Sequence, residues 1–243
     1  MTQGLVFLLD VDNTLLDADR FVADLRQHLD NELGAVRAQL YWRIFDALRA
    51  DLGYVDYLGA LQRLHREASV EPDQDGDTEH RLLSVAGFML DYPFAERLYP
   101  RALDVIGHLG RFGRTVILTD GDVVLQPRKL RRSGLWDAVG GRVLICAHKE
   151  RMLDRVERRH PARHYVMVDD KLRILDAMKS IWQDRLTTIF PRQGHYALDP
   201  AQLAGCQAAD FTIEHIGELA DTDLSALLQR PATDVAASRS VHL

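Results

Sequence analysis

The run Leu5-Val6-Phe7-Leu8-Leu9, which stops abruptly at Asp10 and Asp12, limits what this chain can fold into more than any other stretch. Five apolar residues bounded by polar ones are too few for a core helix. They suit a strand covered on both faces, the kind found in parallel sheets with helices on either side. An α/β fold follows, with Asp10 and Asp12 at the carboxyl end of its first strand. In open α/β sheets the ligand crevice lies beyond that end of the strands, so the two acids stand where a site is expected. Side chains alternate along an extended segment; Asp10 and Asp12 therefore point the same way and Val11 turns aside. Like charges held close repel unless a cation sits between them or one keeps its proton, and either state is useful in catalysis.

After Asp17 the apolar residues change to helical spacing. Phe21, Leu25 and Leu29 mark one helix; Val36, Leu40, Ile44, Phe45, Leu48 and Leu52 a second; Leu58, Leu61 and Leu64 a third; Leu82, Val85, Phe88 and Met89 a fourth. No strand pattern interrupts this block. Residues 18–96 thus read as an all-helical insert, packed as a small bundle between the first strand and the rest of a sheet. Residues 1–17 and 97–230 then form the α/β core, and 231–243, rich in Ala, Ser and Asp, a frayed tail. The aspartates of Pro72-Asp73-Gln74-Asp75-Gly76-Asp77 lack the spacing of a calcium loop, because the glycine falls at the fourth position instead of the sixth. They read as a solvated turn.

Beyond the insert, strand patterns return. A core helix from Ala102 to Leu109 ends at Gly110 and Gly113, and Thr115 to Thr119 forms a second buried strand that stops before Asp120-Gly121-Asp122. A terminal hydroxyl there can donate to a phosphoryl oxygen without adding charge. Arg128, Lys129, Arg131 and Arg132 crowd one short stretch. With Val123, Val124 and Leu130 on its buried face, it reads as the wet side of a helix, and no aromatic residues interleave it as base stacking would need. Val143 to Cys146 is a third strand, followed by His148-Lys149-Glu150; Tyr165 to Val168 is a fourth, running into Asp169-Asp170. Thr187 to Phe190 and Asp210 to Ile213 supply a fifth and sixth, before a last helix from Leu219 to Leu228. Paired acids at a strand end can cap the next helix, a role that accounts for one of them better than for both. The polar loop Arg192 to Tyr196 lies on the same strand-end side and is expected to line the site without acting in catalysis.

In order, Asp10-x-Asp12-x-Thr14 after an apolar strand, a strand ending in Thr119, then Lys149, then a strand ending in Asp169-Asp170 resemble the motifs of the haloacid dehalogenase superfamily of phosphatases and phosphotransferases. The helical insert, with its re-entry at Leu98-Tyr99-Pro100-Arg101, resembles the cap of one class of that superfamily. The resemblance covers nearly the whole chain and implies a Rossmann-like parallel sheet flanked by helices, with the cap inserted after the first strand. It implies Asp10 as a nucleophile that forms an aspartyl phosphate. Asp12 would be general acid to the leaving group and then general base to water. Thr119 and Lys149 complete the catalytic set, with Lys129 and Lys171 as the other lysines in reach of that role. Thr14, Thr119, Asp120, Gly121 and Lys149 would hold the phosphoryl group. Asp10, the main-chain carbonyl of Asp12, Asp169 and Asp170 would form an all-oxygen shell suited to Mg2+. A closing cap would exclude water, and substrate identity would lie in cap residues such as Arg20, Tyr41, Arg43, Tyr54 and Tyr57. The expected reaction is hydrolysis of a small phosphorylated metabolite. A phosphomutase needs the same residues; a dehalogenase, which attacks carbon, needs no acid at position 12. A binding module without turnover would have lost the nucleophile or the acid, and both are present.

Composition supports these readings by exclusion. At 243 residues, 47% hydrophobic and 27% charged, the chain has the make-up of an ordinary soluble globular protein with room for one large domain and an insert. A net charge of −6 argues against a nucleic-acid partner. Cys146 and Cys206 form neither a metal-ligand spacing nor a disulfide framework. Met1 to Leu9 lacks a basic flank and is too short for a signal peptide or membrane span. A cytoplasmic enzyme away from membranes, monomeric or homodimeric, is expected.

Overall fold

One register decides where the acids fall: Leu9 of the first strand pairs with Ile117 on one side and with Val168 on the other, so the residues just beyond them emerge level. The computed structural model describes residues 3–68 and 77–224. Its strands are β1 (Gln3–Leu9), β2 (Arg114–Asp120), β3 (Val143–Cys146), β4 (Ala162–Val168), β5 (Leu186–Pro191) and β6 (Phe211–Ile213). They form one all-parallel sheet in the order β3-β2-β1-β4-β5-β6. All six strands read from the sequence are present. Because β1 is central, the ends of β1, β2 and β4 meet at the point where the winding reverses, which is where such sheets bind ligands.

Alternation along the strands separates two apolar layers. Phe7, Leu9, Ile117, Val166 and Val168 face one side, and Val6, Leu8, Val116, Leu118, Tyr165 and Met167 the other. The first layer is continuous with the helical block α1 (Ala18–Leu52), α2 (Tyr57–Ala68) and α3 (Thr78–Asp91), and with α4 (Ala102–Leu109), α5 (Leu125–Arg132) and α6 (Leu135–Ala138). The second is covered by α7 (Leu153–Arg159), α8 (Leu172–Trp182), α9 (Gly194–Leu198) and α10 (Pro200–Leu203).

The stretch α1 is two helices joined at Gly34, whose φ of 75° and ψ of 160° are outside the helical region and reverse the chain's direction. Arg26 lies 4.3 Å from the ring centroid of Trp42, whereas sixteen residues of straight helix would span about 24 Å. The two helices expected from the sequence are therefore both there, folded against each other. Val36, read as part of the second helix's apolar face, is instead 82% exposed next to the reversal. Two short segments join this block to the sheet: Asp17 N–H donates to Arg97 O at 2.7 Å and Tyr99 N–H to Leu15 O at 3.0 Å, with an antiparallel bridge between Leu16 and Leu98.

Val123 and Val124 do not face the core. They lie in the turn before α5, 83% and 58% exposed, because Asp122 accepts the N–H groups of Val124 and Leu125 and caps the helix. The buried face of α5 is Leu125, Gln126, Lys129 and Leu130. Ile216–Ala220 form a short 3₁₀ segment where the last helix was expected to begin. The remainder of that helix, the tail from 231 and the aspartate loop 72–76 lie outside the described residues. Among the described residues, Cys146 and Cys206 are free and no helix is long and apolar enough to cross a membrane.

Candidate active site

The strand ends bring three carboxylates together. One oxygen each of Asp10, Asp169 and Asp170 lies within 4.8 Å of the other two, and all three residues are buried. Asp10 is anchored by its N–H to Val168 O at 3.0 Å and Asp169 by its N–H to Ile189 O at 3.3 Å. The Lys149 ammonium, beyond β3 and 1% exposed, bridges Asp10 Oδ1 at 2.5 Å and Asp169 Oδ2 at 2.6 Å. Burial alone would lower the lysine's pKa; Asp10, Asp169 and Asp120 outweigh it and hold the ammonium well above its ordinary range.

Lys171, next to Asp170 in the chain, adds a second positive charge, and two ammonium groups still do not neutralise three acids. Burial is the main force raising Asp10 to about 6, against the pull of Lys149. Asp170 is raised well above the usual carboxylate range, again chiefly by burial, with Asp169 and Asp10 adding to it. Neither carboxylate oxygen of Asp170 has a hydrogen-bond partner among the described residues. Buried charges are normally paired or bound to metal. The donor set, all carboxylate oxygen and no sulfur or imidazole, fits a hard cation of the Mg2+ type.

Asp12 stands apart from this cluster. Its Oδ1 pairs with the buried Lys129 ammonium at 2.6 Å and its Oδ2 accepts from Gln126 Nε2 at 3.3 Å. The same Gln126 amide donates to Thr119 Oγ1 at 3.0 Å, so α5 fixes both groups. Lys129 belongs to the site, contrary to its reading as part of a wet helix face; Arg128 and Arg132, from the same run, bind Asp91 at the end of α3. The spacing Leu125, Gln126, Lys129, Leu130 holds the missed signal, since these four lie on one side of a helix.

Asp10, Asp12, Thr119 and Asp120 line one cleft of about 980 Å³ between the sheet and the helical block. Two residues expected at the phosphoryl group point elsewhere. Thr14 donates to Asp10 Oδ2 at 3.2 Å and accepts from the Asp170 N–H at 3.1 Å, so it orients two acids from behind. The Gly121 N–H is taken by Cys146 O at 3.0 Å. Asp120 Oδ1 accepts the Lys149 N–H at 2.8 Å, and burial raises its carboxyl pKa. Of the insert residues expected to meet substrate, Tyr54 and Tyr57 line the cleft. Tyr41 is buried with its hydroxyl on Tyr57 O, Arg20 pairs with Asp24, and neither they nor Arg43 reach the cleft wall.

The loop after β5 closes one edge. Gln193 Nε2 donates to Asn13 O and Thr14 O at 3.2 and 2.8 Å, and His195 binds Asp19 through its N–H at 2.8 Å and through Nδ1 at 2.5 Å. Gly194, at φ 76°, lies so close to Asn13 that a Cβ would sit 2.4 Å from the asparagine's own. His195 and Tyr196 line the cleft, as expected of a bordering loop.

A doubly wound parallel sheet that gathers carboxylates and a buried lysine at its switch point, under a helical block, defines a hydrolase of the haloacid dehalogenase type. Residues 5–181 match the haloacid dehalogenase-like hydrolase family, and the chain belongs to it. It is 59% identical to a haloacid dehalogenase-like hydrolase from Burkholderia xenovorans LB400, over 93% of this chain and 99% of that one, with a TM-score of 0.84. Similar folds at lower identity include the hydrolase YfnB of Bacillus subtilis, crystallised with magnesium (16% identity, 95% and 100% coverage, TM-score 0.60). The L-2-haloacid dehalogenase of Xanthobacter autotrophicus also shares the fold (19%, 90% and 97%, 0.54). No curated protein sequence matches the chain.

Proposed function

We propose that this hydrolase is a magnesium-dependent phosphatase acting on a small phosphorylated metabolite through an aspartyl phosphate on Asp10. The observation that carries the reading is the fully buried Asp170 carboxylate with neither oxygen hydrogen-bonded, beside Asp10 and Asp169, together with a separate acid, Asp12, on the cleft wall. Displacing halide from carbon needs no proton donor to the leaving group, so Asp12 would have no part in that step of a dehalogenase. Asp10, Asp169 and Asp170 would hold the cation, which when bound offsets the negative charge of the transferring phosphoryl oxygens.

This chain's own groups supply the rest. An oxygen of Asp10 attacks phosphorus as the bond to the ester oxygen breaks, and Asp12 gives that oxygen its proton. Asp12 then takes a proton from water, whose oxygen attacks the same phosphorus; the bond to Asp10 breaks and phosphate leaves. A carboxylate has about four acceptor positions, and Lys129 and Gln126 use two on Asp12, leaving it fixed in direction yet able to serve the cleft. Lys149 offsets charge beside the nucleophile.

The test is phosphate release from sugar phosphates, nucleotides, small phosphorylated acids and p-nitrophenyl phosphate, with magnesium or with chelator. Turnover that needs magnesium and disappears in Asp10→Asn is expected; halide release from 2-haloacids with no phosphate release from any ester would overturn the reading.

A further inference from the structure

The cleft is lined by acids, Asp19, Asp30 and Asp46 among them, and also by cations. Arg49, on the returning half of α1, donates from Nη2 to the Tyr196 hydroxyl, and its Cζ lies 5.7 Å from the Tyr196 ring centroid. The Lys171 ammonium lies 4.7 Å from the same centroid, and Arg173 lines the same cleft. Among the described residues none of the three is ion-paired with a carboxylate, while the nearby Asp19 is occupied by His195 and Asn13. Arg49 and Lys171 thus meet at one tyrosine ring, neither in ion-pair contact with a carboxylate of the described residues, and both can take an anion.

These cations are also within reach of the reacting centre. Lys171 follows Asp170 directly in the chain and lines the same cleft as Asp10 and Asp12. Tyr57 lines that cleft as well, together with Arg49 and Tyr196.

We propose that Arg49 and Lys171, gathered around Tyr196, form a subsite for a second oxyanion of the substrate, which is therefore a phosphate monoester bearing a carboxylate or a further phosphate. The proposal rests on the phosphatase reading for the word substrate, but not for the subsite itself, which binding alone can test. Arg49 supplies a planar fork suited to either oxyanion, and Lys171 a point charge. Because one cation comes from the helical block and the other from the sheet, a ligand with a second oxyanion would also tie the two together.

The experiment is calorimetric binding to the Asp10→Asn protein, with magnesium, of two pairs: 3-phosphoglycerate against glycerol 3-phosphate, and fructose 1,6-bisphosphate against fructose 6-phosphate. At least one of the members with two oxyanion groups is expected to bind about tenfold tighter than its partner, the ratio typical of a charge-assisted contact, and the pair that shows it identifies carboxylate or phosphate. Adding Arg49→Met should collapse that ratio, with Arg49→Lys restoring part of it. Equal affinities within both pairs, no binding of any of the four, or a ratio untouched by both Arg49→Met and Lys171→Met would overturn the subsite. Phosphate release from the full ester panel by the wild type is scored separately: its absence alongside a preserved preference sinks the phosphatase reading and leaves the subsite standing.

Discussion

Asp170 shows a site residue acting against the stability of its own fold. Its carboxyl is held well above the ordinary range by burial, and a group raised in this way favours folding only while protonated. Without metal, the unfavourable contribution of the Asp170 and Asp10 carboxyls is therefore absent near pH 4 and grows as pH rises through the raised values, Asp10's being about 6. Asp170→Asn removes one of these charges. In chelator at pH 7.5 it is expected to gain roughly 1 kcal/mol or more, a rise in Tm of about 2–4 °C for a chain of this length, while losing the further rise that magnesium gives the wild type. A lower Tm in chelator, or an undiminished magnesium response, would count against the cation assignment. Lys129 works differently, by direction. Lys129→Met keeps the bulk of the side chain but frees Asp12 Oδ1 from its 2.6 Å partner. We expect kcat to drop about 10²-fold, within the range of general acid–base contributions, with KM little changed. Steady-state kinetics on any accepted ester decides it; an unchanged kcat would show that Gln126 alone holds Asp12.

The elements were legible to different depths. Parallel strands announce themselves because each is apolar on both faces, and β1, β2 and β4 also carry their polar residues at their ends, so the order of motifs could be read directly. The helical block was equally readable from spacing. What could not be read was which residue of a helix meets a distant partner. Lys129 finds Asp12 across 117 positions and His195 finds Asp19 across 176, and no local pattern encodes either meeting. Tyr41 is among the cap residues expected to meet substrate, yet its ring is buried and its hydroxyl is satisfied by a backbone carbonyl. The loop into α9 adds a case where one hydrogen matters. Gly194→Ala would place a methyl against Asn13, whose Oδ1 accepts the N–H groups of Ala18 and Asp19 at the start of α1. Asn13 must then shift, taking the Asp10–Asp12 turn with it. We expect turnover to fall at least tenfold, on the order seen when catalytic groups are displaced by about 1 Å, at a fold content unchanged by circular dichroism. Full activity in this variant would mean that the loop yields instead.

At the scale of the molecule, the helical block and the sheet share one apolar layer. Phe21, Phe94 and Tyr92 interlock at 4.9–5.3 Å between centroids, and this group is continuous with Phe7, Leu9 and Ile117 on β1 and β2. Phe94 lies at the junction, fully buried, with the Lys129 ammonium 5.9 Å from its ring. A shared core implies that neither part gains its full stability alone, and thus that the chain unfolds as one cooperative unit. Phe94→Ala tests this more sharply than any deletion. Truncating a buried phenylalanine costs about 3–5 kcal/mol, and here the loss should lower one calorimetric transition as a whole, with calorimetric and van't Hoff enthalpies still equal. Two transitions, only one of them displaced, would mean that the insert is an independently folding body, joined to the sheet by the ribbon of Leu15–Asp17 and Arg97–Tyr99 and by contacts too weak to couple them.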